Sequence, residues 1–146
     1  MEYSLKSCGF QFRQTSYFCQ MALTYPKSEK LKSRKTIERL FTEGKSVSKY
    51  PLRLVYIENI SETGLIQMGV SVSKRNFKKA HDRNYFKRCL REAYRLNKHI
   101  LLANLETPHA FMLLYQSSER LTSNQIQTKT IALFEKFNVR EIPKPE

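Results

Sequence analysis

The stretch Ser73–Lys98, SKRNFKKAHDRNYFKRCLREAYRLNK, decides how the rest of the chain is arranged. From Asp82 onward, at about 100° per residue, Phe86, Cys89, Leu90, Ala93 and Leu96 share one arc, the repeat of a helix face turned to a core. Arg83, Asn84, Lys87, Arg88, Arg91 and Arg95 share another. Lys74, Arg75, Lys78, Lys79 and Lys98 extend the cationic series, against which stand only Asp82 and Glu92. The spacing predicts a helix capped by Asp82, pinned to a core on one side and holding a row of cations out on the other. An ordinary solvated face mixes both signs at i, i+4 spacing, so that neighbours neutralise each other. Here the cations repel unless something outside the chain neutralises them, and a phosphate near the helix start also suits the N–H groups there. This is the pattern of a polyanion reader.

Outward from that helix, the chain has 146 residues and 40% hydrophobic content, enough for one domain with its own core. Its 26 Lys and Arg against 13 Asp and Glu leave a formal charge of +13 and a pI near 9.8, which points to nucleic acid or an anionic surface as partner. Cys8, Cys19 and Cys89 are odd in number and form no metal-ligand pattern with His81, His99 or His109. They read as reduced thiols of a cytoplasmic protein, with Cys89 buried. No run approaches the roughly 18 apolar residues of a membrane span. Residues 1–20 lack both a secretory h-region and the periodicity of the remainder, and Met21 precedes the organised chain. They are expected to be a flexible extension or an upstream start, with residues 21–140 forming one domain and 141–146 a frayed tail.

A short helix is expected with Ser33 as N-cap, Ile37, Leu40 and Phe41 as its apolar stripe and Gly44 as C-cap. Pro51–Glu58 reads as a strand with Leu52, Leu54 and Tyr56 on one face and Arg53, Val55 and Ile57 on the other. After the turn-rich Asn59–Gly64, Leu65–Ser73 reads as a second strand, and the two are expected to pair as an antiparallel hairpin. HAFMLLY, His109–Tyr115, is a continuous apolar run suited to a central strand covered on both faces. Thr122 and Gln125 fit a capping box opening a last helix with Ile126, Thr130, Leu133, Phe134 and Phe137 on one stripe. The resulting expectation is an α+β fold, a single-domain α/β sandwich in the order α-β-β-α-β-α.

No catalytic constellation stands out. The sequence has no Gly-rich phosphate loop, no His and Cys metal cluster and no nucleophile beside a His at a known spacing. His81 adjoins the basic cluster, but a lone His there reads first as a helix-entry residue. Catalytic and metal-ligating residues are therefore assigned to none of the side chains, and any reaction is expected to draw its chemistry from a partner.

The segments GVSVSKR at Gly69–Arg75, RNYFKRCLRE at Arg83–Glu92 and KLKSRKTIERLFTEGKSV at Lys30–Val47 resemble the protein subunit of bacterial ribonuclease P. The likeness covers roughly Pro26–Phe137. Tyr85 stands where that family usually has the second Arg of an Arg-Asn-Arg motif, and Phe77, Lys78 and Lys79 occupy a loop that usually contains Gly-Asn. The resemblance implies a left-handed βαβ crossover, as in the second domain of ribosomal protein S5, against the usual handedness of such connections. It implies RNA contact through Lys74, Arg75, Arg83, Asn84, Lys87, Arg88 and Arg91, with the catalytic RNA subunit and precursor tRNA as partners. It further implies a cleft for the 5′ leader at Ile37, Phe41, Arg53 and Val55, and Mg²⁺ held by the RNA subunit. Read from the residues alone, Ile37 and Phe41 fit a core stripe first. Arg53 on a half-apolar face better suits an unpaired strand of nucleotides. A non-enzymatic RNA-binding or ribosome-associated protein, or an architectural DNA-binding protein, would use the same basic helix. Oligomeric state is not legible in the sequence.

Overall fold

Ser33 accepts the Thr36 amide on its Oγ at 3.4 Å and opens the first helix, α1, Arg34–Glu43. The computed structural model describes residues 24–58 and 64–141, so the expectations for residues 1–20 and for the tail beyond Glu141 lie outside the described residues. Gly44 ends α1 by donating its N–H to the Leu40 carbonyl at 3.1 Å. A Cβ at Gly44 would stand 2.1 Å from that same oxygen, so the close approach itself demands glycine.

The chain then forms β1 (Lys45–Lys49), β2 (Leu52–Glu58), β3 (Ile66–Val72), α2 (Ala80–Leu102), β4 (His109–Tyr115) and α3 (Ser123–Glu141). A single 3₁₀ turn at Lys27–Glu29 precedes α1. The observed order therefore adds β1, which sequence periodicity missed because only Val47 of KSVSK is buried.

The four strands form one sheet in the order β1-β2-β4-β3. β4 pairs antiparallel with β2, Leu54 opposite Leu113, and parallel with β3, Val70 opposite Leu113. This corrects the expected hairpin: the second and third strands do not pair, because β4 lies between them. The apolar run of β4 is what earns it that place, since Phe111, Leu113 and Tyr115 fill one face while Ala110 and Met112 fill the other.

Helices α2 and α3 cover one face of the sheet. Their core includes Leu52, Leu54, Tyr56, Met68, Phe86, Leu90, Leu133, Phe134 and Phe137. The smaller core on the other face is Leu40 of α1 against Val55, Ala110 and Met112, with Ile37 and Leu31 packed at its margin. The capping box forms as expected: the Thr122 amide donates to Gln125 Oε1 at 3.0 Å and the Gln125 amide donates to Thr122 Oγ1 at 3.4 Å. On the β1 edge, Lys136 Nζ donates to the Ser48 carbonyl at 2.9 Å and Arg140 Nη1 to the Ser46 carbonyl at 3.0 Å. No helix among the described residues is long and apolar enough to cross a membrane.

Candidate nucleic-acid interface

The helix carrying the cations starts earlier than expected. Its cap is Lys79, whose side chain makes no capping hydrogen bond, and Asp82 lies inside the first turn. There Asp82 accepts from Arg120 at 2.7 Å, tying the start of α2 to the segment that leads into α3. The buried face is Phe86, Cys89, Leu90, Ala93, Tyr94, Asn97, Lys98 and Leu101, so Leu96 is only half-buried and the apolar stripe turns further than periodicity indicated.

The approach to the helix is fixed by one aromatic. Phe77 is buried and stacks on Phe86 at 4.5 Å between centroids, and Phe86 stacks on Tyr115 at 4.9 Å. Arg83 Nη1 then donates to the carbonyls of Phe77 and Lys78 at 2.8 and 2.7 Å. Arg83, half-buried, thus shapes the loop as well as contributing charge. Ser73 accepts the Arg75 amide on its Oγ at 3.1 Å. Lys74, Arg75, Lys78 and Lys79 are left exposed around this pinned turn.

Farther along α2, Asn84, Arg88 and Arg91 are exposed and Lys87 half-exposed. Lys87, Arg88 and Arg91 form no ion pair with any described residue. Glu92, the carboxylate nearest them in sequence, accepts from Arg95 Nε at 3.1 Å, and that hydrogen bond holds its carboxyl below the usual carboxylate range. The seven residues assigned to RNA contact therefore lie on the loop before α2 and on its first half; Arg83 is engaged by loop carbonyls, and Lys87, Arg88 and Arg91 have no carboxylate partner among the described residues.

Lys98 does not join them. It is fully buried, donating to Glu29 Oε1 at 2.9 Å and to the Thr24 carbonyl at 2.7 Å. Tyr94 donates its hydroxyl to Glu29 Oε2 at 3.1 Å, and burial pushes its phenol well above the ordinary tyrosine range. Tyr25 meets Tyr94 edge to face at 5.3 Å and donates to the Met68 carbonyl at 2.5 Å. Residues 24–31 thereby cover the C-terminal part of α2 and run along β3, where the Leu31 amide donates to Met68 at 3.1 Å.

The four residues assigned to the leader cleft separate in depth. Phe41 is 54% exposed on α1 and Arg53 is exposed on β2, where it donates to Ser46 Oγ at 3.0 Å. Ile37 is half-buried, and Val55, 5% exposed, lies beneath α1. The register continues from Arg53 to Leu114 to Ser71 across the sheet. There Ser71, Ser73, Arg75, Asn76, Leu114 and Gln116 line an open groove of about 540 Å³. Sequence reading puts Ser71 and Ser73 on the mixed, ligand-open face of their strand but missed Leu114 of β4, whose place there depends on strand order. The alternation of Ser71 and Ser73 with buried Val72 was the signal for the two serines.

Among the described residues no three His, Cys, Asp or Glu side chains come together to hold a metal ion.

Fold and surface together define a small α/β protein with a one-sided cationic helix and an adjoining half-apolar sheet groove. Residues 25–138 match the family model for ribonuclease P, and the chain belongs to that family. The ribonuclease P protein component of Porphyromonas gingivalis is 49% identical over 76 residues, 51% of this chain and 56% of that protein. The match thus spans little more than half of that relative's length. The corresponding protein of Photorhabdus laumondii is 28% identical over 109 residues, 75% of this chain and 86% of its own. The RNase P protein of Staphylococcus aureus superposes with a TM-score of 0.63 at 22% identity, over 80% of this chain and 98% of that one. That of Thermotoga maritima gives 0.61 at 24%, over 74% and 96%. At such identities the structural likeness shows the fold alone.

Proposed function

We propose that the chain is the protein subunit of a ribonucleoprotein endonuclease, ribonuclease P, that matures the 5′ end of tRNA. The observation that carries this reading is the unneutralised row Lys87, Arg88 and Arg91 beside the loop cations Lys74 and Arg75, on a helix whose opposite side is locked in the core. Such a row binds a phosphate backbone by releasing its counterions. Lys74, Arg75, Arg83, Asn84, Lys87, Arg88 and Arg91 contact the catalytic RNA. The sheet face beside α1 takes the single-stranded 5′ leader of precursor tRNA: Arg53 meets phosphate, Phe41 offers a face for a base, Ile37 adds an apolar side to α1, and Val55 supports that helix from beneath.

The reaction itself belongs to the RNA subunit, which holds Mg²⁺. Catalytic RNA and precursor tRNA repel each other, and a chain of charge +13 between them offsets part of that repulsion. The protein's benefit therefore shrinks as Mg²⁺ rises. The test uses protein and RNA subunits purified separately, with Mg²⁺ titrated at constant monovalent salt. The protein alone should leave precursor tRNA intact, and the mixture should cleave at one site at low Mg²⁺. Cleavage by the protein without RNA, lost on replacing one carboxylate or histidine, would make it a protein nuclease instead.

A further inference from the structure

Tyr85 is 47% exposed at the flank of the cationic face, one turn before Arg88 and one turn after His81. Its ring is braced on one side by the core. It meets the buried ring of Phe86 edge to face at 5.3 Å, and Phe86 belongs to the rigid pile with Phe77 and Tyr115. Beside it, Tyr85, His81, Asp82, Arg120, Leu121 and Thr122 line a hollow of about 330 Å³. Arg120 in that lining is fixed by Asp82 at 2.7 Å, although most of its side chain is in solvent.

We propose that Tyr85 is a stacking platform for one unpaired base of the RNA bound by α2, with the planar Arg120 guanidinium as a second surface of the same site. This rests on the reading of α2 as an RNA-binding helix. An aromatic face beside cations is the combination that captures an unstacked base while the backbone runs over the charges. Pre-fixing of both planar groups lowers the ordering cost of that capture. The continuity with Arg88 makes RNA the occupant, since a base lying on Tyr85 places its phosphates along the cationic row.

The experiment measures binding of the in vitro transcribed ribonuclease P RNA from the same organism to wild type, Tyr85→Leu, Tyr85→Phe and Arg88→Ala across a salt series. Tyr85→Leu should bind about tenfold more weakly with the salt slope unchanged, because stacking releases no counterions. Tyr85→Phe keeps the ring and should stay within about twofold of wild type. One unpaired base should be shielded from a base-specific chemical probe by wild type and Tyr85→Phe, and lose that shielding with Tyr85→Leu. Wild-type affinity and an unchanged shielding pattern for Tyr85→Leu would overturn the stacking site. So would an equal loss for Tyr85→Phe, which would assign the effect to the hydroxyl. Arg88→Ala separates the two levels: a reduced affinity and slope there, with Tyr85→Leu silent, removes only the platform. If Arg88→Ala is silent too, the RNA-binding face fails with it. Should Tyr85→Leu melt below wild type, Tyr85→His, which restores a flat ring, must recover both binding and shielding.

Discussion

Arg91 and Lys98 are seven residues apart on α2 and point in nearly the same direction around its axis, yet one stands in solvent and the other is fully buried. The difference comes from what lies over the helix. Over its first part no described carboxylate pairs with Lys87, Arg88 or Arg91; over its last part residues 24–31 fold back and supply Glu29 and the Thr24 carbonyl. A buried ammonium is tolerable only with such partners, and here Tyr94 satisfies the second carboxylate oxygen. Charge on a helix face therefore has two meanings in one element. Where the protein provides the counter-charge, the cation fixes the fold. Where it does not, the cation is left for another molecule.

The sharpest way to break this contrast is to remove the buried cation. Lys98→Ala leaves Glu29 in the interior without its partner and should cost about 3–5 kcal/mol of stability, read by urea unfolding. Combining it with Glu29→Gln should return much of that loss; no recovery in the double variant would mean that Lys98 acts by packing alone. Leu90→Ala, on the core side of the exposed half, should cost about 2–5 kcal/mol through a cavity and leave the RNA salt slope as it was.

Substitution on the exposed face should do the reverse. Lys87→Ala or Arg91→Ala should keep the unfolding midpoint and lower the salt slope of RNA binding by about one unit per lost phosphate contact. A lowered midpoint with an unaltered slope would dissolve the distinction between the two halves. The smallest effect is expected at Glu92, where Glu92→Gln removes an opposing charge and should raise RNA affinity rather than lower it. Because Arg95 depresses the Glu92 pKa, the pair's stabilisation is complete above the unfolded carboxylate value of about 4.3 and is lost as pH falls through the lower folded value. Melting curves of wild type and Glu92→Gln should accordingly separate at neutral pH and converge in acid.

Much of this was legible because local periodicity reports burial. The stripe Phe86, Cys89, Leu90 and Ala93, the cap at Ser33, the capping box at Thr122 and the central position of His109–Tyr115 each follow from short-range pattern. Strand pairing was not legible, since β4 reaches its place between β2 and β3 from beyond α2, and nothing within Pro51–Ser73 announces an intruder. β1 escaped because an edge strand with one buried residue shows no apolar alternation. Lys98 escaped because its angular position repeats that of Arg91; only the distant Glu29 tells them apart. At the candidate site the cations were readable one by one. The groove, by contrast, needs Leu114 of β4 beside Ser71 of β3, a juxtaposition that only strand order supplies.

The contacts that Lys136 and Arg140 make with β1 bear on how copies of this protein treat one another. A sheet ends in two rows of backbone groups that invite further strands, and a chain with open ends of this kind is prone to join its neighbours into aggregates. Here the carbonyls of Ser46 and Ser48 on one border are occupied by α3 cations. On the opposite border the Met68 carbonyl of β3 already receives Tyr25 and Leu31. A strand arriving from a second molecule must displace charged or buried groups at either border. Both borders of the sheet thus carry obstacles to a further strand, while the cationic face of α2 meets no such cover.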